Sequence, residues 1–199
     1  LLPTPVMDIF GSVLFGRALA IAVRRGMFEA LAEEPLTPGA LATQIGLHPE
    51  GATLLCEACV VAGYLRRRGS RYALAREGSK WLLAGSPVSL THLIRYFEAL
   101  HRRWGGLERS LERGAPEHPY YQGFSDEDWE QYVLAMRDLA RLVMPDVARN
   151  LRFTKGASLL VDIGGAHGLY AIECCRRHPG LRAVLLRGSD DAKIEFNYV

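Results

Sequence analysis

The sequence has few cysteines, little net charge and no long uninterrupted apolar run. Its 199 residues include only four cysteines, and Lys plus Arg outnumber Asp plus Glu by 24 to 22. Four thiols, two of them adjacent in sequence, are too few for a disulfide scaffold and favour a reducing, cytoplasmic location. A formal net charge of +2 excludes a global field strong enough to attract nucleic acid or a membrane, so either partner would need a local basic patch.

No segment has the length of a membrane span or the layout of a secretory signal. Charged residues such as Arg17 and Asp162 interrupt the longest apolar stretches before they reach the ~18 residues of a span. The first residue is Leu1 rather than Met, and no basic segment precedes an apolar run with a small-residue cleavage site. We therefore predict no membrane partner, and we interpret the missing Met as an N-terminus that is trimmed or incomplete.

The N-terminal part of the sequence has the pattern of a winged helix. Apolar residues at helical spacing over 6–32 predict a long amphipathic helix, bent near Gly26. A short helix over 37–46 and a third helix over 49–63 follow. Two extended runs around a Gly-Ser turn over 66–74 predict a β-hairpin.

A winged helix with a basic hairpin has two interpretations, a DNA-binding module or a solvated wing. The helix that would enter the major groove carries Glu50 and Glu57 and no Lys or Arg. We therefore favour the solvated wing and predict no nucleic-acid partner. The hairpin arginines are Arg66, Arg67, Arg68 and Arg71.

Cys56 and Cys59 lie one helical turn apart, a spacing that metal and redox sites share. No second Cys or His pair stands at ligand spacing, so we predict two buried small side chains and no metal site.

Residues 79–151 are predicted to be helical except for a loop over 114–124. Ser125 and the acidic residues after it predict the start of the last helix. Its apolar stripe is interpreted as core, with a subunit interface as the alternative. The stripe consists of Trp129, Tyr132, Val133, Met136, Leu139, Val143 and Met144.

The segment after residue 156 has the sequence pattern of a ligand-binding site. An apolar run over 158–161 leads into a glycine-rich turn over 162–168, a helix over 169–178 and a second apolar run over 181–186. Strand, glycine loop, helix and strand are the opening βαβ unit of a doubly wound sheet. Such a turn lets a ligand approach the backbone, although a turn made only for packing is the alternative.

The order of elements and several motifs resemble the SAM-dependent small-molecule O-methyltransferases, the family that includes the caffeic acid and acetylserotonin O-methyltransferases. The likeness covers nearly the whole chain. The segments that carry it are 25–31 (RGMFEAL), 62–65 (AGYL), 71–74 (RYAL), 129–136 (WEQYVLAM) and 160–168 (LVDIGGAHG), with Pro179 after them.

The resemblance implies a mainly α, winged-helix-like dimerisation domain followed by the start of an α/β Rossmann-like SAM-binding domain. The implied boundaries are 1–90 for the dimerisation domain, 91–155 for a helical connector that lines the substrate, and 156–199 for the partial SAM-binding domain. It also implies a homodimer.

The same resemblance implies S-adenosyl-L-methionine as cofactor and a set of residues around it. Tyr132 and Met136 match the substrate wall. Ala166 replaces the middle glycine of the motif, Arg187 stands where the family places a ribose-binding acid, and Ala140 replaces a frequent hydroxyl. The implied cofactor-binding residues are Asp162, Gly164, Gly165, Ala166, His167 and Gly168.

The implied reaction is methyl transfer to a hydroxyl of an aromatic or polyketide-like small molecule. The family's catalytic histidine belongs to a later segment that the printed sequence does not contain, so no catalytic residue is predicted. A methyltransferase-like protein with another activity, and a non-catalytic dimerisation or winged-helix regulatory protein, are the alternatives. The histidines we set aside as catalytic bases are His92, His101, His118, His167 and His178.

The C-terminal residues raise a problem of length. Residues 193–199 have the pattern of a strand similar to the family's third strand, but only 187–192 separate them from Leu186. A parallel crossover needs about ten to twelve residues. We therefore expect that residues are absent between Leu186 and Lys193 and beyond Val199.

Overall fold

The structure is a computed structural model that describes residues 4–116, 124–187 and 195–198. It divides into two compact units, Leu1–Gln131 and Tyr132–Val199. Each unit is built around elements that the sequence pattern predicts.

The elements follow the predicted order. In the first unit they are α1 (Thr4–Arg24), α2 (Met27–Glu33), α3 (Pro38–Ile45), α4 (Pro49–Val61), β1 (Leu65–Arg68), β2 (Arg71–Leu74), α5 (Arg76–Trp81), α6 (Thr91–Trp104) and α7 (Leu107–Arg113). Then come α8 (Asp126–Asn150), β3 (Leu159–Ile163), α9 (Leu169–Arg177), β4 (Arg182–Arg187) and β5 (Glu195–Tyr198).

The predicted long first helix is interrupted rather than bent. Gly26 has a φ of 72°, a left-handed conformation that ends α1 and lets α2 begin at Met27. The break directs Met27 and Phe28 into the core of the first unit, where both are fully buried.

The predicted winged helix is present in α3, α4 and the hairpin β1–β2. Thr37 caps α3 by accepting a hydrogen bond from the Ala40 amide at 3.3 Å. The strands pair antiparallel, with Leu65 opposite Leu74. Cys56 and Cys59 are buried and free, and burial raises the pKa of each thiol to about 12. These cysteines are the predicted small core residues.

Two of the hairpin arginines serve the fold itself. Arg67 lies 3.5 Å from the carboxylate of Glu57, which also accepts a hydrogen bond from the buried Tyr72 hydroxyl. Arg71 donates to the backbone carbonyl of Pro35 at 2.9 Å. Burial, followed by the bond to Glu57, raises the pKa of Tyr72 to about 12. These contacts agree with a solvated wing that is tied to its own helix.

The start of α8 has the predicted cap. The Asp128 amide donates to Ser125 Oγ at 3.2 Å, and Asp128 Oδ2 accepts from the Ser125 amide at 3.1 Å. These reciprocal bonds form a capping box. They lower the pKa of Asp128, and the charges of Arg103 and Arg102 lower it further.

The second unit contains a three-stranded sheet in the order β3-β4-β5. β3 and β4 are parallel, with Asp162 opposite Leu185, and α9 lies between them in sequence. β5 confirms the predicted last strand but runs antiparallel to β4, a direction that a short connection permits. Residues 188–194, where we expected residues to be absent, lie outside the described part.

Several apolar side chains remain exposed. On β3, Ile163 is 80% exposed, and Leu159 and Val161 on the same face are also open. In the N-terminal half of α1, Ile9 is 69% exposed and Leu14 is 55% exposed. Among the described residues, no helix combines the length and apolar character needed to cross a membrane.

Candidate functional site

The predicted glycine loop connects the end of β3 to the start of α9. Gly164 has a φ of 73° and Gly168 a φ of 68°, both left-handed conformations that glycine adopts without strain. The Gly164 amide donates to the Leu186 carbonyl at 2.9 Å, and the Gly168 amide donates to the Gly165 carbonyl at 2.8 Å. These bonds hold the loop above the ends of the two parallel strands, where ligands bind in open α/β sheets.

Gly165 is required for a different reason, because the side chains of Asp162 and Leu185 lie too close to its backbone for any Cβ to fit. A Cβ added at this position would overlap the carboxylate of Asp162 and Cδ1 of Leu185. The absence of a side chain therefore lets the Asp162 carboxylate lie directly against the loop backbone.

Ala166 occupies a position that suits glycine better. Its φ of 38° is the one positive φ of a non-glycine residue within the described ranges. A left-handed conformation costs an L-residue about 1–2 kcal/mol, because Cβ approaches the carbonyl oxygen. The alanine that departs from the family motif therefore strains the loop.

We expect Ala166→Gly to raise the free energy of unfolding by about 0.5–1 kcal/mol, because the relief of strain exceeds the added chain entropy of glycine. Urea unfolding of the two proteins measures the difference. Ala32→Gly, at an exposed position in α2, is the control and should lower stability by about 1 kcal/mol. An unchanged or lower stability of Ala166→Gly would contradict the strain.

His167 is oriented by the start of α9. Its Nδ1 accepts a hydrogen bond from the Leu169 amide at 3.1 Å, so the neutral ring carries its proton on Nε2. Burial lowers the pKa of His167, the Asp162 carboxylate raises it, and the Arg137 guanidinium lowers it. The ring centroid lies 5.9 Å from that of Tyr170. His167 thus caps the helix as a neutral ring.

Three buried polar atoms on charged side chains of this unit have no hydrogen-bond partner, and one of them is Oδ1 of Asp138. The other two are Oδ2 of Asp162 and Nε of Arg137. The sequence analysis predicted Asp162 and missed Arg137, because an arginine on an amphipathic helix is ordinarily solvated. The one indication in the sequence is that Arg137 directly follows Met136, which is predicted to line the substrate.

The other predicted residues lie on neighbouring elements. Tyr132 and Met136 are half-buried on α8, one turn apart, and Ala140 is buried one turn further on. Arg187 is the last residue of β4, and the backbone register places Glu195 opposite it. The side chains of Arg187 and Glu195 lie outside the described part.

The remaining histidines are distributed over other elements. His178 ends α9 and its ring meets Phe153 edge to face at 4.8 Å. His92 is half-buried on α6 rather than on the surface, and His101 is exposed. His118 lies outside the described residues. Within the second unit, as far as it is described, His167 is therefore the histidine of the loop.

Comparison with known protein families gives a match for the N-terminal part of the chain. Residues 7–85 match the O-methyltransferase dimerisation domain family. This match covers α1 to α5 and the winged helix.

The full chain is similar to complete O-methyltransferases. It is 30% identical to the tetracenomycin polyketide synthesis 8-O-methyl transferase TcmO of Streptomyces glaucescens over 91% of this chain and 55% of that protein. It is 26% identical to the mouse acetylserotonin O-methyltransferase over 93% of this chain and 52% of that protein. The chain thus spans about half the length of the curated relatives it matches.

A solved structure shows the same fold. The human N-acetylserotonin methyltransferase in complex with SAM superposes with a TM-score of 0.80 and 23% identity, over 93% of this chain and 59% of that chain. The predicted fold class, a winged-helix-like dimerisation domain followed by the start of a Rossmann-like domain, is confirmed. The resemblance to the SAM-dependent O-methyltransferases is confirmed as well.

Proposed function

Because residues 7–85 belong to the O-methyltransferase dimerisation domain family, we propose that this chain acts in SAM-dependent methyl transfer to a hydroxyl group. The acceptor would be an aromatic or polyketide-like small molecule. The name of TcmO, a polyketide 8-O-methyl transferase, supports this class of acceptor.

The observation that carries the proposal is the loop over 162–168. A buried carboxylate oxygen of Asp162 lacks a partner, and Gly165 leaves no room for a side chain between that carboxylate and the backbone. An unpaired buried acceptor beside exposed loop backbone suits a ligand that donates hydrogen bonds. The residues therefore fit S-adenosyl-L-methionine, which carries ribose hydroxyls and an ammonium group.

Each loop residue would have a separate task in binding. Asp162 would accept hydrogen bonds from the ligand, and Gly164 and Gly168 would shape the backbone around it. Nδ1 of His167 already accepts a hydrogen bond from the Leu169 amide, so Nε2–H is the ring atom that can donate a hydrogen bond to a ligand. When bound, the cofactor supplies an electrophilic sulfonium methyl group, and catalysis then depends mainly on orientation and a general base.

We assign the parts of the chain as the sequence predicts. Residues 1–90 would dimerise, 91–155 would line the acceptor, with Tyr132 and Met136 on its wall, and 156–199 would hold the cofactor. The exposed apolar N-terminal half of α1 supports a homodimer. Four free cysteines support a reducing, cytoplasmic location.

Ligand binding by the 199-residue chain tests the proposal. Isothermal titration with S-adenosylhomocysteine, the demethylated product form of the cofactor, should give a saturable heat. Duplex DNA titrated at several salt concentrations should give none, because α4 has no Lys or Arg and two hairpin arginines bind within the fold. Binding of DNA without binding of the nucleoside would favour the winged-helix regulatory protein.

Methyl transfer is a second, independent measurement. Labelled S-adenosylmethionine is incubated with the chain and a panel of hydroxylated naphthalenes and anthraquinones, and the label is extracted with the acceptor. Nucleoside binding without transfer to any acceptor would favour a methyltransferase-like protein with another activity.

A further inference from the structure

A cavity of about 390 Å³ lies in the first unit, between the end of α1, one face of α6 and the first two turns of α8. Its volume is within the range of about 300–1,000 Å³ that is typical of small-molecule sites. Its lining contains no residue of the loop over 162–168, and neither Tyr132 nor Met136. Charged side chains dominate the lining, with the arginines Arg24, Arg95 and Arg102 and the acids Glu98, Glu127 and Asp128.

Two of the three carboxylates are already engaged by groups of the protein. Glu98, whose side chain is 13% exposed, pairs with Arg17 at 3.2 Å and with Arg24 at 3.1 Å. Asp128 Oδ2 accepts hydrogen bonds from the amide and the hydroxyl of Ser125 at 3.1 and 2.9 Å. Glu98 can neutralise only one of its two arginines, so a positive charge remains on that side of the cavity.

Two arginines of α6 have no partner of this kind. Arg95 makes no hydrogen bond or ion pair with any residue that the structure describes, and Arg102 acts on Asp128 only through its charge. Both are exposed, and they lie two turns apart on one face of α6, roughly 10 Å along its axis. Ala99 lies between them and leaves space that a larger side chain would fill.

The charge around the cavity favours an anionic ligand. Arg17 and Arg103 act on two of the carboxylates from outside the lining, so five arginines surround three carboxylates. Such an excess of positive charge in a concave site attracts negatively charged ligands. A guanidinium group binds a carboxylate or a phosphate through two parallel hydrogen bonds, and it also stacks on aromatic rings.

Gln131 adds an uncharged group to the same cavity. Its Oε1 is buried and has no hydrogen-bond partner within the described part of the chain. A buried acceptor without a donor is rare in folded proteins. A hydroxyl group on a ligand in the cavity would supply the donor.

We propose that this cavity is a second binding site, for a small molecule that carries two anionic groups, carboxylate or phosphate, on a rigid aromatic frame. Arg95 and Arg102 each bind one anionic group, and the frame lies over Ala99 between them. The site is independent of the proposed cofactor loop, because no residue of that loop lines it.

The test uses ligands that differ in charge and in length. They are naphthalene-2,6-dicarboxylate, naphthalene-2-carboxylate and inorganic pyrophosphate. Isothermal titration of the 199-residue chain at low ionic strength should give saturable binding of the dicarboxylate. The monocarboxylate should bind about fivefold more weakly, the size of one exposed ion pair. Pyrophosphate should be weaker still, because it lacks the frame and is too short to reach both arginines. Added salt should weaken the dicarboxylate.

Variants locate the binding. Arg95→Met and Arg102→Met should each weaken the dicarboxylate about fivefold and leave the monocarboxylate with a smaller loss. Ala99→Phe keeps both arginines but fills the space between them, so it should abolish detectable binding. Arg113→Met is the matched control, because Arg113 is an exposed arginine of α7 outside the lining. Circular dichroism checks that each variant keeps the helical spectrum of the parent.

The outcomes separate this site from the proposed methyl transfer. Binding of the dicarboxylate that persists at saturating S-adenosylhomocysteine supports a second site, whereas mutual displacement would overturn it. A parent that does not bind the dicarboxylate also overturns it and leaves the proposed function untouched. Equal affinity of the parent and both arginine variants would place the ligand elsewhere, even if Ala99→Phe fails to fold. Pyrophosphate that binds as tightly as the dicarboxylate would refute the aromatic frame.

Discussion

Gly165→Val should weaken S-adenosylhomocysteine binding by about a hundredfold. The new Cβ overlaps the Asp162 carboxylate, at the end of β3, and the side chain of Leu185 on β4. Forcing them apart displaces Asp162, which then loses a charge-assisted hydrogen bond to the ligand worth up to about 3 kcal/mol. A loss of about 3 kcal/mol in binding corresponds to the hundredfold change in a dissociation constant that titration measures.

The control for this substitution is Gly39→Val. Gly39 lies in the first turn of α3, and a Cβ added there meets no atom within 4 Å. Both variants should keep the helical circular-dichroism spectrum of the parent, but only Gly165→Val should lose affinity. If Gly165→Val binds within threefold of the parent, the loop over 162–168 does not hold the nucleoside.

Local signals were sufficient to predict most elements from the sequence. The capping box at Ser125 and Asp128 and the Gly-Ser turn of the hairpin depend on neighbours in sequence, and both are present. The long first helix was less predictable. Apolar spacing continues through Gly26, and the left-handed φ that separates α1 from α2 is set by the burial of Met27 and Phe28 in the core.

The loop was predictable in position but not in its electrostatics. Glycine spacing located residues 162–168 at the end of an apolar run, which is β3 in the structure. Arg137 comes from a helix that precedes the loop in sequence, and no local pattern shows that its Nε is buried. The direction of β5 could not be predicted either. It is determined by the pairing with β4, a non-local contact that the sequence of a four-residue strand does not specify.

The second large effect concerns the proposed homodimer. Replacing both Ile9 and Leu14 with Glu should convert the dimer to a monomer at micromolar concentration. These two side chains are among the most exposed apolar groups of α1, and Val13 and Phe15 on the same helix are also exposed. Each chain would bring two carboxylates without partners into the interface, at a cost of about 4 kcal/mol or more, roughly a thousandfold in the dimer dissociation constant. Sedimentation equilibrium measures the masses.

An exposed apolar residue on another helix tests whether the effect belongs to α1. Leu54 on α4 is 72% exposed, so Leu54→Glu adds a similar charge at a similarly open apolar position. We expect this variant to remain a dimer, since a general effect of added charge would act on both proteins alike. A parent that sediments as a single chain would refute the homodimer. A monomeric Leu54→Glu beside an intact α1 variant would move the interface from α1 to α4, because the contact that holds two chains together must contain the residue whose charge separates them.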